Sequence, residues 1–124
     1  MCLAVVLFAG VVFTSCEKKS DADLLLGKWS VTSVSTTIDG VSVEKKIEGS
    51  EYMYYTFASE GKYIEEVNAD GEKWTYDGNY ELNGKTLIFE KGTVDENVYT
   101  IQELTNSNLV LKDGTSTLNM TKIK

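Results

Sequence analysis

Turn signals recur along this chain at short intervals: Asp39-Gly40, Ser59-Glu60-Gly61, Asp70-Gly71, Asn83-Gly84, Asn106-Ser107-Asn108 and Asp113-Gly114. Asp-Gly and Asn-Gly tolerate the positive φ that tight hairpin turns require. Between the turns lie short runs rich in Val, Ile, Thr, Tyr, Phe and Trp, the residues that suit a pleated, half-buried surface. No segment keeps a helical period, apart from a single turn's length around Asp21 to Leu26. A chain punctuated in this way builds consecutive antiparallel hairpins.

The turns also fix a register. With Ser59-Glu60-Gly61 as a three-residue loop, Phe57 faces Tyr63, Tyr55 faces Glu65 and Met53 faces Val67. With Asp70-Gly71 as a two-residue turn, Val67 faces Trp74, Glu65 faces Tyr76 and Tyr63 faces Gly78. With Asn83-Gly84 read likewise, Tyr80 faces Leu87 and Gly78 faces Phe89. Asp113-Gly114 pairs Leu109 with Leu118 and Leu111 with Ser116, and Met120 follows on the same face. Each turn, chosen on turn chemistry alone, delivers the large apolar residues to one side, and a slip of one residue would reverse them. A three-residue loop at 106–108 turns Tyr99, Ile101 and Glu103 inward, with a bulge near Glu103; a two-residue loop turns Gln102 and Leu104 inward instead. Val41 to Ser50 reads either as an extra strand or as a loop over a barrel mouth.

Eight strands result, at about 27–37, 51–58, 61–69, 72–82, 86–91, 97–105, 109–112 and 116–123. A meander of that length must split or close, and closure removes the edges that invite aggregation. The expected fold is therefore all-β, an eight-stranded antiparallel up-and-down barrel over residues 24–124, with Gly78 allowing a sharp mid-strand bend. At 124 residues this is one domain. The net charge is -7, with 12 basic residues against 19 acidic ones. That balance argues against nucleic acid, which needs a basic face.

The N-terminus reads as an address. Met1 to Phe13 is almost wholly apolar, too short for a bilayer span of about 20 residues but suited to a secretory signal. Thr14-Ser15-Cys16 with Glu17-Lys18-Lys19-Ser20 after it resembles the lipobox of bacterial lipoproteins, although Leu is usual where Phe13 stands and the basic start is missing. The resemblance implies cleavage after residue 15, acylation of Cys16 and a polar tether over residues 16–23. Each buried acyl methylene contributes about 0.8 kcal/mol, so two or more chains hold a protein stably on a membrane. The expected location is the bacterial cell envelope, on the outer membrane, facing the periplasm or the surface, with the membrane as partner and the barrel as a monomer. Cys2 and Cys16 both lie in this segment, so no disulfide is expected in the domain.

Gly27-Lys28-Trp29, opening the first strand, resembles the G-x-W motif of lipocalins and their bacterial relatives. In that family the tryptophan plugs the barrel base beside a basic residue of the last strand. The resemblance implies that role for Gly27, Trp29 and Lys122, where arginine is usual, in a small lipocalin-like lipoprotein that carries a small, partly apolar molecule.

Enzymatic readings find little support. There is no histidine, hence no imidazole base or ligand. Glu65 and Glu66 point to opposite faces of a strand and cannot share a site, and no cleft with clustered carboxylates assembles from this register. Asp70-Gly71-Glu72 and Asp95-Glu96-Asn97 offer oxygens but not the spacing of a calcium loop, so no metal and no cofactor are expected. A lumen is better supported. Ser33 and Ser35 are small and set inward, beside Tyr55, Tyr63, Glu65, Trp74 and Tyr76. Glu65 is either a polar anchor in a ligand cavity, with Tyr76 opposite, or a solvated carboxylate near the mouth. A rival reading is a filled barrel that binds protein or glycan through its outer surface, where Tyr52, Tyr54 and Ile64 point; a lumen of about 300 Å³ or more lined by Tyr55, Glu65 and Tyr76 favours the first reading, and a solid interior with an exposed Tyr52-Tyr54 patch the second.

Overall fold

The computed structural model describes residues 2–5, 13–16 and 19–123, the first two segments by their backbone alone. The expected signal segment falls largely outside the described residues, and so does the side chain of Cys16. In the N-terminal segment β1 (Cys2–Val5) pairs antiparallel with β2 (Phe13–Cys16). A short helix, α1 (Asp21–Leu25), follows. It is capped by Ser20, whose Oγ accepts from Asp23 N at 3.2 Å. The last residues of the expected tether are thus helical, and Asp21 is tied to Lys85 at 2.9 Å.

Nine strands complete the chain: β3 (Gly27–Ile38), β4 (Val41–Lys46), β5 (Tyr52–Ala58), β6 (Lys62–Ala69), β7 (Glu72–Asn83), β8 (Thr86–Phe89), β9 (Asn97–Leu104), β10 (Asn108–Lys112) and β11 (Ser116–Ile123). Neighbours in sequence pair antiparallel from β5 to β11, β3 pairs with β5, and β11 returns to β3. The result is a closed, eight-stranded antiparallel barrel. The segment left open by the sequence is a strand: β4 folds back on the second half of β3, while β5 takes the first half.

The hairpins at 39–40 and 70–71 form as expected, with positive φ at both central residues (Asp39 53°, Gly40 79°, Asp70 53°, Gly71 79°), the type I′ pattern. β5, β6 and β7 take the expected register, Tyr55 opposite Glu65 and Glu65 opposite Tyr76. Two registers are displaced by two residues. Tyr80 pairs with Phe89, not Leu87, because the turn is Gly84-Lys85: Gly84 has φ 61° and Lys85 does not share the positive φ, the type II′ signature. Leu111 pairs with Leu118 and Leu109 with Met120. There the Asp113 carboxylate closes a longer loop, Oδ1 accepting from Thr115 N at 2.9 Å and Ser116 N at 2.7 Å. A two-residue displacement preserves which face each side chain occupies, so the core survives both corrections.

Two bulges do change faces. In β9 the register shifts opposite Val110 and Leu111, so Tyr99, Ile101 and Leu104 turn inward while Gln102 and Glu103 are exposed. In β3, Asn119 pairs with Ser33 and Met120 with Val31, leaving Thr32 extra. Trp29 and Val31 are inward before this bulge; Val34 packs on the core after it. The core comprises Trp29, Val31, Phe57, Tyr63, Leu87, Phe89, Ile101, Leu109, Leu111, Leu118 and Met120, with Leu25 of α1 beneath it.

Candidate functional site

One end of the barrel is sealed. Trp29 is fully buried, and its indole Nε1 donates to Leu25 O at 2.8 Å, so the plug and α1 hold each other. Lys122 Nζ lies 4.7 Å from the indole ring centre, within cation–π range. It also donates to Leu24 O at 3.1 Å and Leu26 O at 2.6 Å. Burial, and Lys19 nearby, lower its pKa. Gly27 has φ 122°, and a Cβ there would lie 2.9 Å from Lys122 Cε. A side chain at this position would meet both backbone strain and the ammonium that crosses over it. Gly27, Trp29 and Lys122 thus meet at this end of the barrel.

The other end holds a cavity of about 370 Å³. Its walls carry the expected Tyr55, Tyr63, Glu65, Trp74 and Tyr76, and with them Phe89, Glu90, Asp95, Asn97 and Tyr99. Strand alternation explains the first group: Tyr55, Glu65 and Tyr76 are cross-strand partners on one face of β5, β6 and β7. Trp74, half exposed, stands at the rim. The rings pack on one another, Tyr63 on Phe89 at 4.8 Å and Phe89 on Tyr99 at 5.7 Å, both edge to face.

Ser33 and Ser35 do not line this cavity. The Thr32 bulge turns them to the opposite face, where Ser33 Oγ accepts from Asn119 Nδ2 at 3.0 Å. Gly78 also serves differently from expectation. Its φ is not positive; a Cβ would collide with Glu90 Oε2 and lie 2.7 Å from the Tyr63 ring. The missing side chain is what seats the Glu90 carboxylate against the β7 backbone, Oε2 accepting from Asn79 N at 3.2 Å and from the Tyr63 hydroxyl at 3.2 Å.

The cavity wall also carries Glu90 and Asp95, which the expected register did not bring there. With Glu65 they place three carboxylates on one cavity. Strand parity could not reveal them, because both lie beyond the end of β8, and Glu90 re-enters through a left-handed φ of 55°. The signals in the sequence were Gly78, an unexplained glycine mid-strand, and the polar run Asp95-Glu96-Asn97. Among the described residues no group of three His, Cys, Asp or Glu side chains could hold a metal ion.

Burial pushes the Glu65 carboxyl above its ordinary value, and the Tyr55 hydroxyl, donating to Oε2 at 3.2 Å, offsets only part of that. Burial raises the Tyr55 hydroxyl in turn, with the Glu65 charge adding to it. Burial and then Glu90 do the same to Tyr63.

A second cavity, about 480 Å³, opens where β4 and β5 diverge from β3. Its wall is mainly apolar, with Val34, Ile38, Val43, Ile47, Met53 and Val67. Met53 and Val67 pair two residues along β5 and β6 from Tyr55 and Glu65, so the two cavities are neighbours, with no lining residue in common. On the outer surface Tyr52 and Tyr54 stack at 4.6 Å, and Lys28, paired with Glu66 at 3.3 Å, sits 4.6 Å over Tyr54. Both rings are half-buried, the arrangement of a stabilised sheet surface.

The profile of the lipocalin-like domain family matches residues 25–111. A crystal structure of a lipocalin-like protein from Bacteroides uniformis superposes with a TM-score of 0.61 at 20% identity, covering 81% of this chain and 99% of that one. A crystal structure of an uncharacterized protein from Bacteroides eggerthii gives 0.59 at 16% identity, with 80% and 99% covered. No curated protein matches the chain. The family profile spans more than half of the sequence, including the base tryptophan and most of the strands, and this chain belongs to the lipocalin-like domain family.

Proposed function

We propose that this protein is a binding protein of the bacterial cell envelope, anchored through lipid on Cys16, that holds a small, partly apolar molecule at the mouth of its barrel. The observation that carries the reading is the cavity of about 370 Å³ lined by Tyr55, Glu65 and Tyr76. It exceeds the ~300 Å³ at which small-molecule sites begin, and its mixture of ring bodies and polar tips is what such sites use. The neighbouring apolar cavity offers room for a non-polar portion of the same ligand. The surface-binding alternative fares less well, since the interior is not filled at the mouth and the Tyr52–Tyr54 pair is half-buried.

The anchor adds an orientation. Cys16 precedes α1 by only a few residues, and α1 packs under the sealed base through Leu25. An acylated Cys16 would hold that base toward the membrane and leave the mouth facing away from it. Native mass spectrometry of the purified protein tests the binding reading: a co-purified small molecule, lost from a Tyr55→Ala Tyr76→Ala variant, is the expected result. Acyl mass on the N-terminal peptide, abolished by globomycin, tests the anchor separately.

A further inference from the structure

We propose that the mouth cavity is a site for a small organic cation, a protonated amine or quaternary ammonium with an apolar portion. This rests on the reading of the barrel as a small-molecule binder and adds the charge of the ligand. Three carboxylates, Glu65, Glu90 and Asp95, line the cavity, and no lysine does. None of the three has a cationic partner: the ion pairs among the described residues are Lys28–Glu66, Lys85–Asp21 and Lys91–Glu81. Lys91, the nearest cation in sequence to Glu90, is held by Glu81 at 3.0 Å.

The rest of the wall is mainly aromatic, with Thr75 and Asn97 among the rings, and rings are the other group that attracts cations. A neutral polyol could hydrogen-bond to these carboxylates but would leave their charge uncompensated in a partly desolvated pocket, which is unfavourable. An anion would be repelled. The carboxylates are also too dispersed to hold a metal ion, so the cation must be broad enough to lie among them. The seat that Gly78 provides fixes Glu90 facing Tyr63, which places one of the charges beside the rings.

Calorimetry with three isosteric probes tests this: 2-phenylethylammonium, 2-phenylethanol and phenylacetate, titrated into the purified protein at low salt. The ammonium is expected to bind about tenfold or more tighter than the alcohol, and phenylacetate weakest of all. A Glu65→Gln Glu90→Gln variant is expected to narrow the ammonium–alcohol gap to about twofold. If that variant does not melt as a folded protein, Asp95→Asn serves, since the Asp95 carboxylate makes no hydrogen bond among the described residues; it should weaken the ammonium by about threefold. Equal binding of alcohol and ammonium, preference for phenylacetate, or a gap unchanged in the variants overturns the cation assignment while leaving the barrel a binder. Heat from none of the probes overturns the assignment too, and the search for a co-purified ligand then judges the binding reading on its own.

Discussion

Trp29 is held by the Leu25 carbonyl, the Lys122 ammonium and the apolar core it is buried in, and each contact has a separate energetic meaning. Truncating it should be among the most damaging changes in the chain. Trp29→Ala is expected to lower stability by about 3–5 kcal/mol, the range for emptying a large core position. Lys122→Met keeps most of the packing but removes the bonds to the Leu24 and Leu26 carbonyls, the second of them open to water, and should cost about 0.5–1.5 kcal/mol; urea unfolding followed by tryptophan fluorescence separates the two. Glu65 shows the opposite balance. Its folded pKa is raised, so the fold prefers the protonated form, and the ionised form weakens the fold at neutral pH. That cost is complete above the raised value and vanishes as pH falls below the ordinary 4.5. Glu65→Gln should therefore raise the melting temperature at pH 7, by a few degrees at most because the group is partly solvated, and give no advantage at pH 4. A thermal melt at both values checks the sign. Trp29, Lys122 and Glu65 were all legible from motif and parity. Glu90 was not, since its route into the cavity depends on a backbone dihedral that a glutamate rarely adopts.

Hairpins carry their register in two separable parts: parity, set by side-chain alternation, and offset, set by the turn. Parity was legible wherever apolar residues alternate, which is why Phe57, Tyr63, Trp74, Tyr80 and Phe89 all fall where expected. Offset was legible at 39–40 and 70–71, where aspartate and glycine both take positive φ, and misread at 83–86 and 112–117. Asn83-Gly84 and Asp113-Gly114 look alike in sequence to Asp70-Gly71, yet the chain uses the glycines differently. Gly71 has φ 79° and Gly84 φ 61°, whereas Gly114 is not left-handed and has open space around it. Gly71→Ala and Gly84→Ala should thus each destabilise by about 1–2 kcal/mol. Gly114→Ala should stay within about 0.5 kcal/mol of the parent or stabilise slightly, by restricting the unfolded chain. Chemical denaturation of the three variants, measured side by side, distinguishes a turn that needs glycine from one that merely contains it. The bulge in β9 falls where it was expected, beside Glu103; the one at Thr32 was harder to see, because an extra residue in a strand leaves no compositional mark when its neighbours are Ser and Thr.

Barrel closure is a property of the whole molecule, and it gives β11 and β4 opposite fates despite their similar look in sequence. Both pair with β3. β11 also pairs with β10, so its amides are committed on both sides, and Leu118 and Met120 are buried. β4 pairs with β3 alone and is exposed throughout. Local opening of β4 needs only one ladder broken and little apolar area uncovered, whereas opening β11 breaks two ladders and releases Lys122 from the base. Native-state amide exchange should accordingly find β3 and β11 protected to the same degree as β6 and β7, with β4 exchanging at least about tenfold faster through a local event. Exchange in β11 at the rate of β4 would mean that the sheet is open between β11 and β3. The same asymmetry gives the molecule its working layout. The end where the strands are most tightly tied holds Trp29 and α1. The end where β4 swings away from β5 holds the apolar cavity, apart from the seal that Trp29, Lys122 and α1 make at the base.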